Sequence, residues 1–127
     1  MGKDEKVTSR ANKSGDIGER RIIDIIARQL EIMPNMPVPF GDDVSAVNLD
    51  QKQVAVLKTD MLVGKTDVPA SMSLWQAARK AVVMNISDFA AKGVQPTVAL
   101  VSLGLPRGLM QKDIEEIARG LNAGARE

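Results

Sequence analysis

The 127-residue chain has no cysteine, no histidine and no tyrosine, and its aromatics (one Trp, two Phe) make up 2% of the sequence. Each absence removes a class of chemistry. Without histidine there is no imidazole base near neutral pH and no imidazole metal ligand. Without cysteine there is no reactive thiol, thiolate zinc site or disulfide framework. Carboxylates, lysine, arginine, hydroxyls and backbone amides remain, and carboxylates favour hard ions such as magnesium. Charge of one sign is missing too. Lys+Arg number 17 against 16 Asp+Glu, a formal charge of +1, which gives no electrostatic case for a nucleic-acid partner. No apolar run approaches the ~18 residues of a membrane span, and the first 15 residues hold no apolar core of a secretory signal. These features predict a cytoplasmic protein with no membrane partner.

What is present suits one domain with an aliphatic core. Hydrophobic residues make up 44% of the chain, and its length lies in the commonest domain range. Residues 1–15 are polar, of mixed charge and without apolar periodicity, which predicts a disordered tail. The domain is placed at residues 16–127. Asp16 and Glu19 have capping-box spacing, and Ile22, Ile26, Leu30 and Met33 recur at helical intervals, so a helix is predicted from Asp16 to about Glu31. Prolines 34, 37 and 39 end it. Val44–Leu49 and Val54–Thr59 flank a polar turn and read as a hairpin. A loop is predicted from Met61 to Met72. Ser73 and Gln76 again have capping-box spacing, opening a central helix through Trp75, Ala78, Val82, Ile86 and Phe89 that stops at Gly93. Trp75 reads as core or interface packing. The apolar run Thr97–Leu105 predicts a buried strand, and Met110 to about Ala123 an amphipathic helix. The fold class is α/β (α+β), a mixed or antiparallel sheet with helices on one face. Three strands with an apolar member leave edges exposed, which predicts a homodimer.

Three segments carry polar groups that core packing does not require. Asp42 and Asp43 follow Gly41 at a loop-to-strand junction. Adjacent acids repel unless a cation is near, so they make either a magnesium site or a solvated turn. Thr59-Asp60 ends a strand, where a hydroxyl beside a carboxylate suits Mg²⁺ or phosphate, or simply a turn. Asn85, Asp88 and Lys92 share one face of the central helix. Asp88 therefore either pairs with Lys92 across one turn or meets a cation. Lys65 stands in Gly64-Lys65-Thr66 without the upstream glycine of a phosphate-binding P-loop.

Together these segments resemble the N-terminal domain of the thiamine-monophosphate kinase family, within the superfamily of aminoimidazole ribonucleotide synthetase. Gly41-Asp42-Asp43-Val44-Ser45-Ala46-Val47 is similar to its G-D-D-x-A-x-V/L signature, and Thr59-Asp60-Met61-Leu62-Val63 to its T-D-x-L-V segment. Asn85 through Pro96 resembles N-x-S-D-x-A-A-x-G-x-x-P, and Leu103-Gly104-Leu105-Pro106 resembles L-x-L-P. The resemblance implies a domain that binds ATP with Mg²⁺ for transfer to a small phosphorylated substrate and pairs as a homodimer with sheets joined across the interface. It assigns Asp42, Asp43, Asp60 and Asp88 as metal ligands, Thr59 and Asp60 to metal and nucleotide phosphate, and Asn85 to contacting phosphate or orienting the Asp88 carboxylate. Phosphoryl transfer relies on positioning and charge neutralisation rather than on a histidine base.

Two departures stand beside it. The family continues T-D-x-L-V with E-G-x-H-F, where this sequence reads Gly64-Lys65-Thr66-Asp67-Val68. The family also carries a G-G-D-T motif and a C-terminal domain beyond the last helix. The resemblance therefore implies a domain inactive by itself. The alternatives are a domain of another superfamily member with a different substrate, or a non-catalytic dimerisation module.

Overall fold

The computed structural model describes residues 18–31 and 33–127. The predicted tail and the Asp16 cap lie outside the described residues. Six elements follow in chain order: α1 (Glu19–Ala27), β1 (Ser45–Asn48), β2 (Val54–Leu57), α2 (Gly64–Asp67), α3 (Leu74–Ala91) and α4 (Gln111–Ala125). Helix α1 starts at Gly18, whose carbonyl accepts from the amides of Arg21 and Ile22. It ends four residues before the predicted Glu31, as the chain tightens into bonds from Gln29 to Ile26 and from Leu30 to Ala27. Its isoleucines, Ile22, Ile23, Ile25 and Ile26, are all exposed.

The hairpin forms where the two runs around a polar turn placed it. β1 and β2 are antiparallel, with Ala46 opposite Val56 and Val47 opposite Ala55. The turn is held by Asp50, whose Oδ1 accepts from the amides of Lys52 (2.7 Å) and Gln53 (2.8 Å), the short-side-chain mimicry that suits Asp to turns. Val44 and Ala46 are buried at 4% and 3% exposure. The outer edge of β1 is partly covered by residues 35–38. The Ala46 amide donates to the Val38 carbonyl (3.0 Å) and the Asn48 amide to that of Asn35 (2.8 Å).

Two corrections follow. The Met61–Met72 loop contains the one-turn helix α2, closed by Asp67 Oδ2 accepting from the Val63 amide (2.6 Å). Thr97–Leu105 is neither a strand nor buried. Leu100 is 99% exposed and Val98 81%, and among the described residues the sheet has two strands. An apolar run reports a tendency to be buried, but a strand exists only where a neighbour supplies hydrogen bonds.

The helical half is a packed pair. Ser73 caps α3 as predicted: its Oγ accepts from the Gln76 amide (3.1 Å) and Gln76 Oε1 accepts from the Ser73 amide (2.9 Å). The helix closes with the Gly93 amide on the Ala90 carbonyl and the Val94 amide on the Phe89 carbonyl. This double bond pattern requires a left-handed residue, supplied by Gly93 at φ +68°. α4 packs along the first half of α3: Ile117, Gly120 and Gly124 are buried on α4 and Ala77 and Ala78 on α3, with Gly120 against Trp75 and Ala78 and Gly124 against Arg79 and Val82. The Glu116 carboxylate accepts from the Trp75 amide (3.2 Å). Trp75 itself stays 37% exposed at the edge of this contact. No helix among the described residues is long and apolar enough to cross a membrane.

Candidate acidic site between the hairpin and the central helix

The end of β2 faces the second half of α3 through one lysine. Lys58, directly after β2, lays its stem against the protein and keeps only 10% of its side chain exposed. Its Nζ lies 2.7 Å from Asp88 Oδ2 on α3 and 3.6 Å from Asp60 Oδ2 beyond the strand end. The other oxygen of Asp60 accepts from the Met61 amide (2.7 Å), which fixes the carboxylate's orientation. Asp88 raises the affinity of the Lys58 amine for its proton through their hydrogen bond, partly offset by burial.

A second pair ties the same helix to the loop before β1. Lys92 Nζ, at the C-cap of α3, lies 2.7 Å from Asp42 Oδ1. That oxygen also receives the Val44 amide at 3.4 Å. The Lys92 hydrogen bond holds the Asp42 carboxyl below the ordinary carboxylate range, and Asp42 in turn raises Lys92, with Asp43 and Asp88 adding their charge through space. The predicted i,i+4 alternative is thus not what forms: Asp88 takes Lys58 from the hairpin, and Lys92 reaches Asp42 instead.

Three of the four predicted acids, Asp42, Asp60 and Asp88, therefore pair with two ammonium groups, and Asp43 acts on Lys92 through space. Among the described residues no three carboxylates converge on one point. The other predicted residues divide. Thr59 is exposed between Lys58 and Asp60. Asn85 is half-buried and spends an amide hydrogen on its own helix, donating to the Ala81 carbonyl (2.9 Å), so that bond does not orient Asp88. Lys58 is the residue that sequence reasoning missed. The available signal was a lysine closing the apolar run Val54-Ala55-Val56-Leu57, directly before Thr59-Asp60.

Beside the Asp42–Lys92 pair lies an apolar cavity of about 370 Å³, walled by Val44, Ala46, Val54 and Val56 of the hairpin and Val94 after α3. A larger hollow of about 490 Å³ borders Trp75, Arg79 and Lys80. Its cations are engaged, Arg79 with Glu127 and Lys80 with the Asp67 carbonyl, and it offers no acid cluster.

The donor set fits a hard divalent ion. Asp60 and Asp88, from two separate elements, already direct one oxygen each at a single positive group, the Lys58 ammonium. Magnesium typically takes one or two protein carboxylates and completes its shell with water and substrate phosphates, so two convergent acids are sufficient.

Residues 41–127 match the family described as AIR synthase related protein, N-terminal domain, and the chain belongs to that family. The curated relatives it is similar to include thiamine-monophosphate kinases. The thiamine-monophosphate kinase of Nitrosopumilus maritimus is 42% identical over 87 residues, 68% of this chain and 27% of that protein. That of Pyrococcus horikoshii is 42% identical over 88 residues, 69% and 28% of the two chains. That of Methanocaldococcus jannaschii is 30% identical over 106 residues, 82% and 33%. The chain spans between a quarter and a third of these relatives' length. No solved structure matches it.

Proposed function

We propose that this chain is the nucleotide- and magnesium-handling N-terminal domain of a cytoplasmic thiamine-monophosphate kinase, which moves the γ-phosphoryl group of ATP onto the phosphate of thiamine monophosphate. The observation that carries this reading is the convergence of Asp60 and Asp88 on one cation between β2 and α3, in a family whose named relatives are such kinases. Asp60 and Asp88 would hold the ion, and Asp42 and Asp43 would extend the acidic rim. Magnesium there would neutralise phosphate oxygens during transfer. Thr59 offers a hydroxyl beside Asp60 at the mouth of the site. The segment Gly64–Asp67, folded as α2 rather than carrying the family's His and Phe, is where substrate contacts would differ from those of other members.

The exposed run Thr97–Leu105 supports the second half of the reading, a homodimer in which this segment pairs with another copy. Long apolar backbone with unpaired groups is a template for strand addition. The test of the activity is ADP release by the full-length enzyme carrying this domain. Thiamine monophosphate should stimulate it, and Asp88→Asn should abolish the stimulation. A response to a purine precursor and none to thiamine monophosphate would replace this reading with the synthetase alternative.

A further inference from the structure

We propose that Lys58 is the exchangeable cation of the Asp60–Asp88 site: it pairs with both carboxylates until a divalent ion displaces it, and its released ammonium then binds the phosphates that accompany the ion. The inference rests on the reading of Asp60 and Asp88 as metal ligands, and concerns a residue to which neither motif nor resemblance gave a role.

Three observations carry it. First, Lys58 contacts the oxygens that an ion would need, Asp88 Oδ2 at 2.7 Å and Asp60 Oδ2 at 3.6 Å. An ammonium and a metal ion cannot share those positions, so binding is an exchange. Second, two carboxylates around one ammonium leave a residual negative charge, and a divalent ion balances it where lysine does not. Third, the Lys58 stem is held against the protein with 10% exposure, while the two carboxylates are exposed at 38% and 31%. The flexible end of a four-carbon chain can therefore swing off the acids without leaving the site. A displaced ammonium beside a bound ion can donate charge-assisted hydrogen bonds to phosphate oxygens.

The exchange makes opposite predictions for the ion alone and for the ion with a polyphosphate. Calorimetry would compare the chain with Lys58→Met, using Mn²⁺ alone and then Mn²⁺ with inorganic tripolyphosphate. Removing one unit charge within a few ångströms of a part-exposed site should tighten Mn²⁺ binding by roughly tenfold. The same variant should bind tripolyphosphate in the presence of Mn²⁺ several-fold more weakly than the wild type. Lys52→Met, in the exposed hairpin turn, should match the wild type in both titrations. A purely structural lysine would weaken both when lost. Mn²⁺ binding by Lys58→Met that is no tighter than wild type, or tripolyphosphate binding that is not weakened, overturns the proposal.

A measurement on the unaltered chain covers the event that the variant does not fold. The side-chain NMR signals of Lys58 should move toward those of exposed Lys52 as Mg²⁺ is added, and signals unmoved up to millimolar Mg²⁺ overturn the exchange. Failure of the underlying site gives a different result: Mn²⁺ affinity would then be unchanged in Asp60→Asn and Asp88→Asn.

Discussion

Replacing Gly120 by alanine should break the α3–α4 contact although it improves the helix. Two effects oppose each other at this position. In an isolated helix the change gains about 1 kcal/mol, because glycine carries the larger backbone entropy loss. In the folded chain the new Cβ would overlap the Trp75 carbonyl oxygen and lie 2.8 Å from Ala78 Cβ. Carbon–carbon contacts are most favourable at about 3.5–4.0 Å, so the helices would have to part by a large fraction of an ångström. Neither obstacle can rotate away: one is a backbone carbonyl and the other a Cβ. Separation also loosens Ile117, one of the few buried side chains. With two immovable atoms closer than 3.0 Å to the new Cβ, the overpacking cost falls in the upper part of a range of about 1–3 kcal/mol, so the net expectation is a loss of about 1–2 kcal/mol after the propensity gain. At roughly 5 °C per kcal/mol for a domain of this size, the melting temperature should fall by about 5–10 °C. Gly124→Ala meets Val82 Cβ at 2.8 Å and the Arg79 carbonyl at 3.1 Å, so its loss should be smaller. Urea and thermal unfolding, both monitored by the single tryptophan at the contact, read the two quantities. A Gly120→Ala chain as stable as the wild type would refute the close-packing argument.

Further expectations concern the cap, the ion pairs and the exposed run. Ser73→Ala removes the acceptor for the Gln76 amide and should lower stability by about 1 kcal/mol in urea unfolding. Asp42 titrates lower in the folded chain than in the unfolded one, so its contribution is present above the ordinary carboxylate pKa and lost as pH falls through the depressed value. Asp42→Asn should therefore flatten the acid limb of melting temperature against pH. Lys58 and Lys92 are raised, so their contributions hold below the ordinary lysine pKa and fade as pH rises through the raised values. Lys58→Met should then flatten the alkaline limb. Leu100→Ser, at a position 99% exposed, should leave the unfolding energy of the monomer within about 0.5 kcal/mol. The same change should weaken self-association in sedimentation.

The legible parts of the fold are those written in local chemistry. Ser73 with Gln76 marks a helix start because both capping partners lie within four residues, and Gly93 marks its end because only a left-handed residue closes that turn. The hairpin is legible from two β-branched runs around an Asp-led turn. Thr97–Leu105 is not, because strand formation depends on a neighbour that no local pattern contains. Helix α2 is missed since four residues closed by one Asp67 bond carry no periodicity. The same divide runs through the site. Asp42, Asp60 and Asp88 stand out as acids that packing does not need, yet Asp42 and Asp88 take their lysine partners from other parts of the fold. The pairing of Asp88 with Lys58 rather than Lys92 is a tertiary choice, thirty residues apart in sequence.

The central question is whether Asp60 and Asp88 bind nucleotide through magnesium. Calorimetric titration of the chain with ATP, with and without Mg²⁺, measures this. Binding should require Mg²⁺ and be lost in both Asp60→Asn and Asp88→Asn, while Asp50→Asn, in the hairpin turn, retains it. ATP binding indifferent to Mg²⁺, or unchanged by the two site substitutions, would contradict this role for the two acids.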